Sequence, residues 1–178
     1  TPSGKPFTQK LAQDLSQAGE LYNNAATALN EGNSQVALDG FKQALAAAEA
    51  LGEEGAALAT DCKNIIPKIY IQLGKEAASN KDMDKAAELL GQANKLATEY
   101  GQTEVAASAK ETLTQVLIAD GNSLLNEKKY AEAIASYTKA TELDPANGVA
   151  YLRIGMCKGA SGDEQGAIEA YNKAAENG

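Results

Sequence analysis

The side chains that most often carry catalysis are scarce in this chain of 178 residues, which has no histidine and only two cysteines. Without histidine, a Ser–His or Cys–His nucleophile pair and an imidazole-ligated metal are excluded. Cys62 and Cys157 lie far apart, without the short spacing of metal ligands, and we expect two separate buried thiols. The sequence therefore predicts no cofactor, no metal site and no enzymatic activity.

The charged residues favour a protein or peptide partner. The net charge is −8 and the sequence pI is about 4.6, which disfavours a nucleic acid because a phosphate backbone is itself negative. No run of apolar residues is long enough to predict a membrane span. Arg153 is the only arginine, and its planar guanidinium can hold a carboxylate through two hydrogen bonds.

The composition predicts an all-α protein that would position these side chains. By count, 35 residues are alanine, the best helix former, while two Phe and seven Tyr supply the aromatic bulk. Asn147 and Asp163 are typical N-caps, and Pro67 is expected to kink or divide its helix. Periodicity predicts helices over about 8–31, 34–51, 54–80, 82–100, 103–127, 130–143, 147–160 and 163–177.

The second half of the chain repeats itself with a period of 34 residues. The recurring pairs are Gly121 and Gly155, Ala133 and Ala167, Tyr137 and Tyr171, and Ala140 and Ala174. In both period and residue types this pattern resembles the tetratricopeptide repeat, in which each unit is a helix–turn–helix. The resemblance implies a right-handed α-solenoid of about four antiparallel helix pairs.

The same frame extends to the first half of the chain with longer spacing. Units are predicted at about 8–52, 53–101, 102–146 and 147–178, after a flexible leader over 1–7, and together they form one array. The extra residues amount to about four helical turns per unit, so the first three units are expected to have lengthened helices. The sequence favours neither an exported nor a cytoplasmic location.

The resemblance also implies a function and the residues that perform it. In this family the first helix of each unit lines a concave face that binds protein or peptide ligands. The corresponding residues here are Tyr22, Ile71, Lys75, Ile118, Asn122, Leu152, Arg153 and Met156. Asn122 also matches the carboxylate clamp of chaperone-binding members, but Ile118 stands where that clamp has lysine. The apolar members can line a groove or belong to the core, and the sequence leaves both readings open.

The alternative function is a structural or self-assembling repeat module of a longer polypeptide. The last helix carries Ile168 and Tyr171. In the preceding unit, the residues at the equivalent positions would pack against the first helix of the next unit. We therefore expect this face to be covered, either by a continuing polypeptide or by a second copy in a homodimer.

Overall fold

The computed structural model describes residue 4, residue 6 and residues 8–178, and the predicted leader lies largely outside them. Within the described residues there is no strand. Consecutive helices pack on one another, α1 on α2, α6 on α7 and α7 on α8, which confirms the all-α class with helix pairs. The helices are α1 (Gln9–Asn30), α2 (Ser34–Ala50), α3 (Ala56–Ser79), α4 (Met83–Glu99), α5 (Thr103–Asn126), α6 (Tyr130–Leu143), α7 (Gly148–Ala160) and α8 (Glu164–Asn177), with a 3₁₀ turn over Gly52–Gly55.

The turns between helices use two kinds of residue in the left-handed conformation. Gly32, Gly101 and Gly162 have φ values of 82°, 70° and 92°, which glycine adopts at little cost. The turns after α3 and α5 instead place Lys81 and Lys128 at φ values of 61° and 60°. These two turns therefore carry backbone strain that a glycine would relieve.

The helices form two compact units. The first consists of the described residues up to residue 74 and of residues 92–106, and the second of residues 75–91 and 107–178. Helices α3, α4 and α5 contribute residues to both units. None of the helices in the described part of the chain is long and apolar enough to span a bilayer.

The first unit shows why small residues recur at fixed positions. A Cβ atom on Gly40 of α2 would lie 2.8 Å from the Cβ atom of Ala25 on α1, so the two backbones approach closely. The ring of Tyr22 meets the buried ring of Phe41 edge-on, with centroids 5.2 Å apart. This edge-to-face contact fixes the pairing of α1 with α2.

Helix α3 is continuous through Pro67, so the expectation that proline divides it is wrong. Pro67 has no N–H to donate to the carbonyl of Lys63, four residues earlier. That carbonyl instead accepts a hydrogen bond of 2.8 Å from Nε2 of Gln102, at the residue before α5. A side chain thus replaces the missing backbone donor, and the helix does not break.

The second unit is built around Tyr137 of α6, which is fully buried. A Cβ atom on Gly121 of α5 would lie 2.6 Å from its ring, so only glycine fits there. The Tyr137 hydroxyl donates a 2.5 Å hydrogen bond to Oδ1 of Asn122, and burial raises its pKa to about 12. Ile154 and Cys157 of α7 complete this cluster.

Candidate functional site

Helix α7 exposes an apolar face. Val149, Leu152 and Met156 are separated by three and four residues, which places them on one side of the helix. Leu152 is 44 % exposed and Met156 is 39 % exposed. Asn147 caps the start of this helix, since its side chain accepts a 3.1 Å hydrogen bond from the backbone N–H of Ala150. The α7 face, meaning these three exposed side chains, is therefore held on a well-formed helix.

Arg153 lies beside the α7 face. Its Nη1 atom is 3.8 Å from the sulfur of Met156, and its Nε atom is buried without a hydrogen-bond partner. Among the described residues no carboxylate forms an ion pair with it. The positive charge of Arg153 lowers the pKa values of Tyr137 and Cys157, opposing the larger upward effect of burial. The guanidinium therefore acts on the interior of the unit while its own charge stays uncompensated.

Asn122 links this region to the core. Its Oδ1 atom accepts the hydrogen bond from Tyr137, so the carbonyl side of the amide is used within the unit. A neighbouring bond of 2.7 Å, from Ser136 to Asp120, joins the same two helices, α5 and α6. Asn122 thus has a packing role that the repeat position did not reveal, because its partner is fifteen residues away.

Ile118 lines a cavity of about 390 Å³ between α5 and the turn from α6 to α7. The isoleucine also packs against both core clusters of the second unit. Sequence reasoning missed the polar side chains of this cavity, which precede the repeat motif on the lengthened part of α5. The helical spacing of Lys110, Glu111 and Thr114 was the available signal.

Family models described as "Tetratricopeptide repeat" match residues 121–147 and 149–177. These two segments of the chain are tetratricopeptide repeats. The matched segments overlap the last two predicted units and contain the small–Ala–aromatic pattern that packs Gly121 on Tyr137. Such repeats serve in general as protein-interaction scaffolds, and proteins of this fold are typically non-catalytic.

Solved structures with a similar chain trace include MamA and YrrB. MamA has 19 % sequence identity over 86 % of this chain and 93 % of its own, with a TM-score of 0.40. YrrB, described as "a TPR protein with an unusual peptide-binding site", has 20 % identity over 88 % and 84 %, with a TM-score of 0.36. No curated protein matches the chain. TM-scores this low indicate only a weak likeness.

Two of the remaining predicted residues, Ile71 and Tyr22, belong to the first unit, whereas the α7 face belongs to the second. Ile71 is 8 % exposed and belongs to the core of the first unit. Tyr22, in the same unit, is half-buried against Phe41, and Lys75 of α3 is exposed. The structure therefore associates Arg153 with Met156 directly, and with Asn122 through Tyr137, but gives Ile71 little surface for a ligand.

The outer face of α8 is exposed at the two residues singled out for an end-to-end contact. Ile168 is 53 % exposed and Tyr171 is 40 % exposed. A Cβ atom on Gly155 would lie 2.6 Å from the ring of Tyr171, so this pair repeats the packing of Gly121 and Tyr137. One side of the Tyr171 ring is thus packed and the other is open.

Proposed function

We propose that the second unit binds a peptide segment of a partner protein along the α7 face. Two apolar side chains of the peptide would pack on Leu152 and Met156, and a carboxylate would pair with Arg153. The observation that carries this proposal is the uncompensated guanidinium of Arg153 next to two exposed apolar side chains on the same helix.

The energetics favour a mixed ligand of this kind. Leu152 is 44 % exposed and Met156 is 39 % exposed, so burying the exposed part of each would contribute about 1 kcal/mol. A carboxylate on the terminal Nη atoms of Arg153 would form a charge-assisted pair. A purely apolar segment would leave that charge desolvated and unpaired, which is unfavourable. The ligand best suited to the face therefore carries both groups.

The test begins with selecting ligands from a random peptide library and measuring their affinity by calorimetry. Selected peptides should contain an acidic group and at least two large apolar residues. Leu152→Glu with Met156→Glu should abolish binding, and Arg153→Gln should weaken it about tenfold for acidic peptides. The control is Val36→Glu, which changes an even more exposed apolar residue in the first unit and should bind normally.

Two results would contradict the proposal. The first is unchanged binding in the α7 variants. The second is loss of the helical circular dichroism signal in the Leu152→Glu, Met156→Glu protein, because these side chains would then be needed for folding rather than for a ligand.

A second candidate function, self-assembly, rests on the exposed face of α8. Tyr171 is 40 % exposed, whereas Tyr137 at the equivalent repeat position is completely buried beneath α7. One face of α1, within residues 9–20, offers no large apolar counterpart, since the residues that line it are glutamine, serine, glutamate and a single alanine. Two copies would therefore meet α8 to α8, in a symmetric contact centred on Ile168 and Tyr171.

Light scattering over a concentration series tests this second candidate. A dimer should form with increasing concentration and should be lost in Tyr171→Lys. A protein that stays monomeric throughout, with a variant of unchanged solubility, would rule out the α8 contact.

A further inference from the structure

The second unit also contains a groove, which lies on the side of α7 opposite to the α7 face. Tyr151, Ile154 and Lys158 point into it, and helical geometry places them about 150° around the helix from Leu152 and Met156. The groove has a volume of about 230 Å³ and is formed by α6, α7 and α8. This is smaller than the roughly 300–1,000 Å³ of pockets for drug-sized ligands, so it suits one or two side chains.

The floor of the groove is apolar. Ile154 and Ala170 are buried members of the core cluster around Tyr137, and Ile134 packs against that cluster. Tyr151 adds an aromatic surface. Any ligand that enters must therefore bring an aliphatic portion to cover this floor.

Two lysines at the rim are each held in place by a neighbour. Nζ of Lys173 lies 5.7 Å from the centre of the Tyr151 ring, a cation–π contact. The stem of Lys158 lies across Gly166, where an added Cβ atom would come within 2.9 Å of the lysine Cδ atom. The two ammonium groups are thus positioned by packing contacts on different helices.

Neither lysine has an ion-pair partner among the described residues. Glu169 also lines the groove, four residues before Lys173, but Lys173 lies over Tyr151 instead of pairing with it. Asp163 is nearby, and its carboxylate accepts a 2.9 Å hydrogen bond from the backbone N–H of Gly166 as the cap of α8. The lysine charges are therefore available to a ligand.

The two threonine hydroxyl groups of the groove are already used. Thr138 donates to the carbonyl of Ile134 and Thr141 donates to the carbonyl of Thr138, both at 2.7 Å. The charged donors left for a ligand are the two ammonium groups. An aliphatic floor with two cationic groups above it matches a glutamate or aspartate side chain beside a leucine or similar residue.

We propose that this groove binds an acidic side chain of a partner peptide, with its carboxylate between Lys158 and Lys173 and an adjacent apolar side chain on Ile154. A singly charged carboxylate fits better than a phosphate group because Glu169 and the net charge of −8 oppose a dianion. The proposal does not depend on the α7 face, which lies on the other side of the helix.

The chain contains a matched groove for comparison. In the first unit, α2, α3 and α4 form a groove of about 270 Å³ whose floor includes Tyr70, the repeat equivalent of Tyr151. Its rim carries Lys42 and Glu49, one positive and one negative charge. Because this groove has no excess of positive charge, we expect it not to select a carboxylate, and Lys42→Gln is the control variant.

The test is an NMR titration of the ¹⁵N-labelled full chain with two tripeptides, acetylated and amidated at their ends. One has glutamate between two leucines, and the other has glutamine in its place. The glutamate peptide should shift the backbone amides of Tyr151 and Gly166. It should bind roughly fivefold more tightly than the glutamine peptide, the scale of one exposed charge pair.

The variants separate this groove from the α7 face. Lys158→Gln with Lys173→Gln should remove the preference for glutamate, whereas Lys42→Gln and Arg153→Gln should keep it at the Tyr151 and Gly166 amides. Equal binding of the two peptides, or an unchanged preference in the double lysine variant, would overturn the proposal. Shifts confined to Asn122 and Met156 would also overturn it, while supporting the α7 face as the binding site.

Discussion

The sharpest prediction about protein stability concerns the hydrogen bond from the Gln102 side chain to the carbonyl of Lys63. This bond replaces the backbone hydrogen bond that Pro67 cannot donate. In an uninterrupted helix the carbonyl of Lys63 would accept from residue 67, but proline has no N–H. The bond from Nε2 of Gln102, at 2.8 Å, takes its place. Gln102→Leu keeps a side chain of similar size and removes the donor, so it should destabilise the protein.

The expected loss is about 1 kcal/mol. A buried carbonyl left without a donor costs roughly 1–3 kcal/mol, and a half-buried one falls toward the lower end of that range because water can reach it. A second effect reduces the loss further, because Oε1 of Gln102 is itself buried without a partner. Leucine removes that unsatisfied oxygen, so the two effects partly cancel.

The same substitution should behave differently when residue 67 can donate. In Pro67→Ala the backbone N–H returns and can pair with the carbonyl of Lys63, so the Gln102 bond is no longer needed. Gln102→Leu should then cost close to nothing, or stabilise slightly because Oε1 is gone. The coupling between the two substitutions is therefore expected to be about 1 kcal/mol.

Urea denaturation of the four proteins, followed by circular dichroism, measures this cycle. Gln43→Leu is the control, because Gln43 is exposed on α2 and should show no coupling to Pro67→Ala. Any packing loss caused by Pro67→Ala itself is the same with glutamine and with leucine at position 102, so it cancels in the coupling free energy. If Gln102→Leu costs the same with proline and with alanine at position 67, the side chain does not compensate for the missing donor and the reasoning fails.

Four further predictions concern two helix glycines, one turn and the buried tyrosine. Gly121→Ala should lower the urea midpoint by an amount corresponding to about 1–3 kcal/mol, because its Cβ atom would lie 2.6 Å from the Tyr137 ring. Gly19→Ala, with no neighbour within 4 Å, should stabilise by about 0.5–1 kcal/mol. Lys128→Gly should stabilise the protein by about 1 kcal/mol in the same assay, because glycine tolerates the φ of 60° that strains a lysine. An unchanged urea midpoint would contradict the inference that this turn is strained. The Tyr137 phenol, with a pKa of about 12 against 10.0 in the unfolded chain, favours the fold below pH 10, and that contribution is lost as the pH rises toward 12. Tyr137→Phe should therefore show a smaller fall in stability over this range, and an identical fall would exclude the tyrosine as its source.

The helix boundaries were predictable from sequence because they depend on local chemistry. Asn147 and Asp163 cap their helices as expected, and Gly32 and Gly162 adopt the left-handed conformation that ends one. The turn at Lys128 had no glycine to mark it, and only the repeat pattern located it. The continuity of α3 through Pro67 was not predictable, because the compensating donor is far away in the sequence.

The candidate site was less predictable, because exposure depends on what packs next to a residue rather than on its place in the repeat. Ile71 and Leu152 occupy the same repeat position, yet one is 8 % exposed and the other 44 %. Tyr137 and Tyr171 likewise pack on equivalent glycines and differ in exposure from 0 % to 40 %. A period of 34 residues identifies the face of the helix on which a side chain lies. It does not identify the helix that covers that face.

This difference explains why two binding surfaces are proposed for one helix. Helix α7 is covered along its flanks by α6 and α8, which leaves Leu152 and Met156 exposed on one side and a lysine-rimmed groove on the other. Each side combines apolar surface with a cation that has no ion-pair partner in the described part of the chain, Arg153 on the first side and Lys158 on the second. The net charge of the chain is −8, which by itself opposes the binding of a carboxylate. Charges farther away than about 8 Å are largely screened, however, so the nearby cations attract a carboxylate to these two apolar surfaces. Because α6 and α8 cover the flanks of α7, two acidic, apolar segments would need a linker long enough to pass around these helices to bind both surfaces, and their joint affinity would then exceed that of either alone.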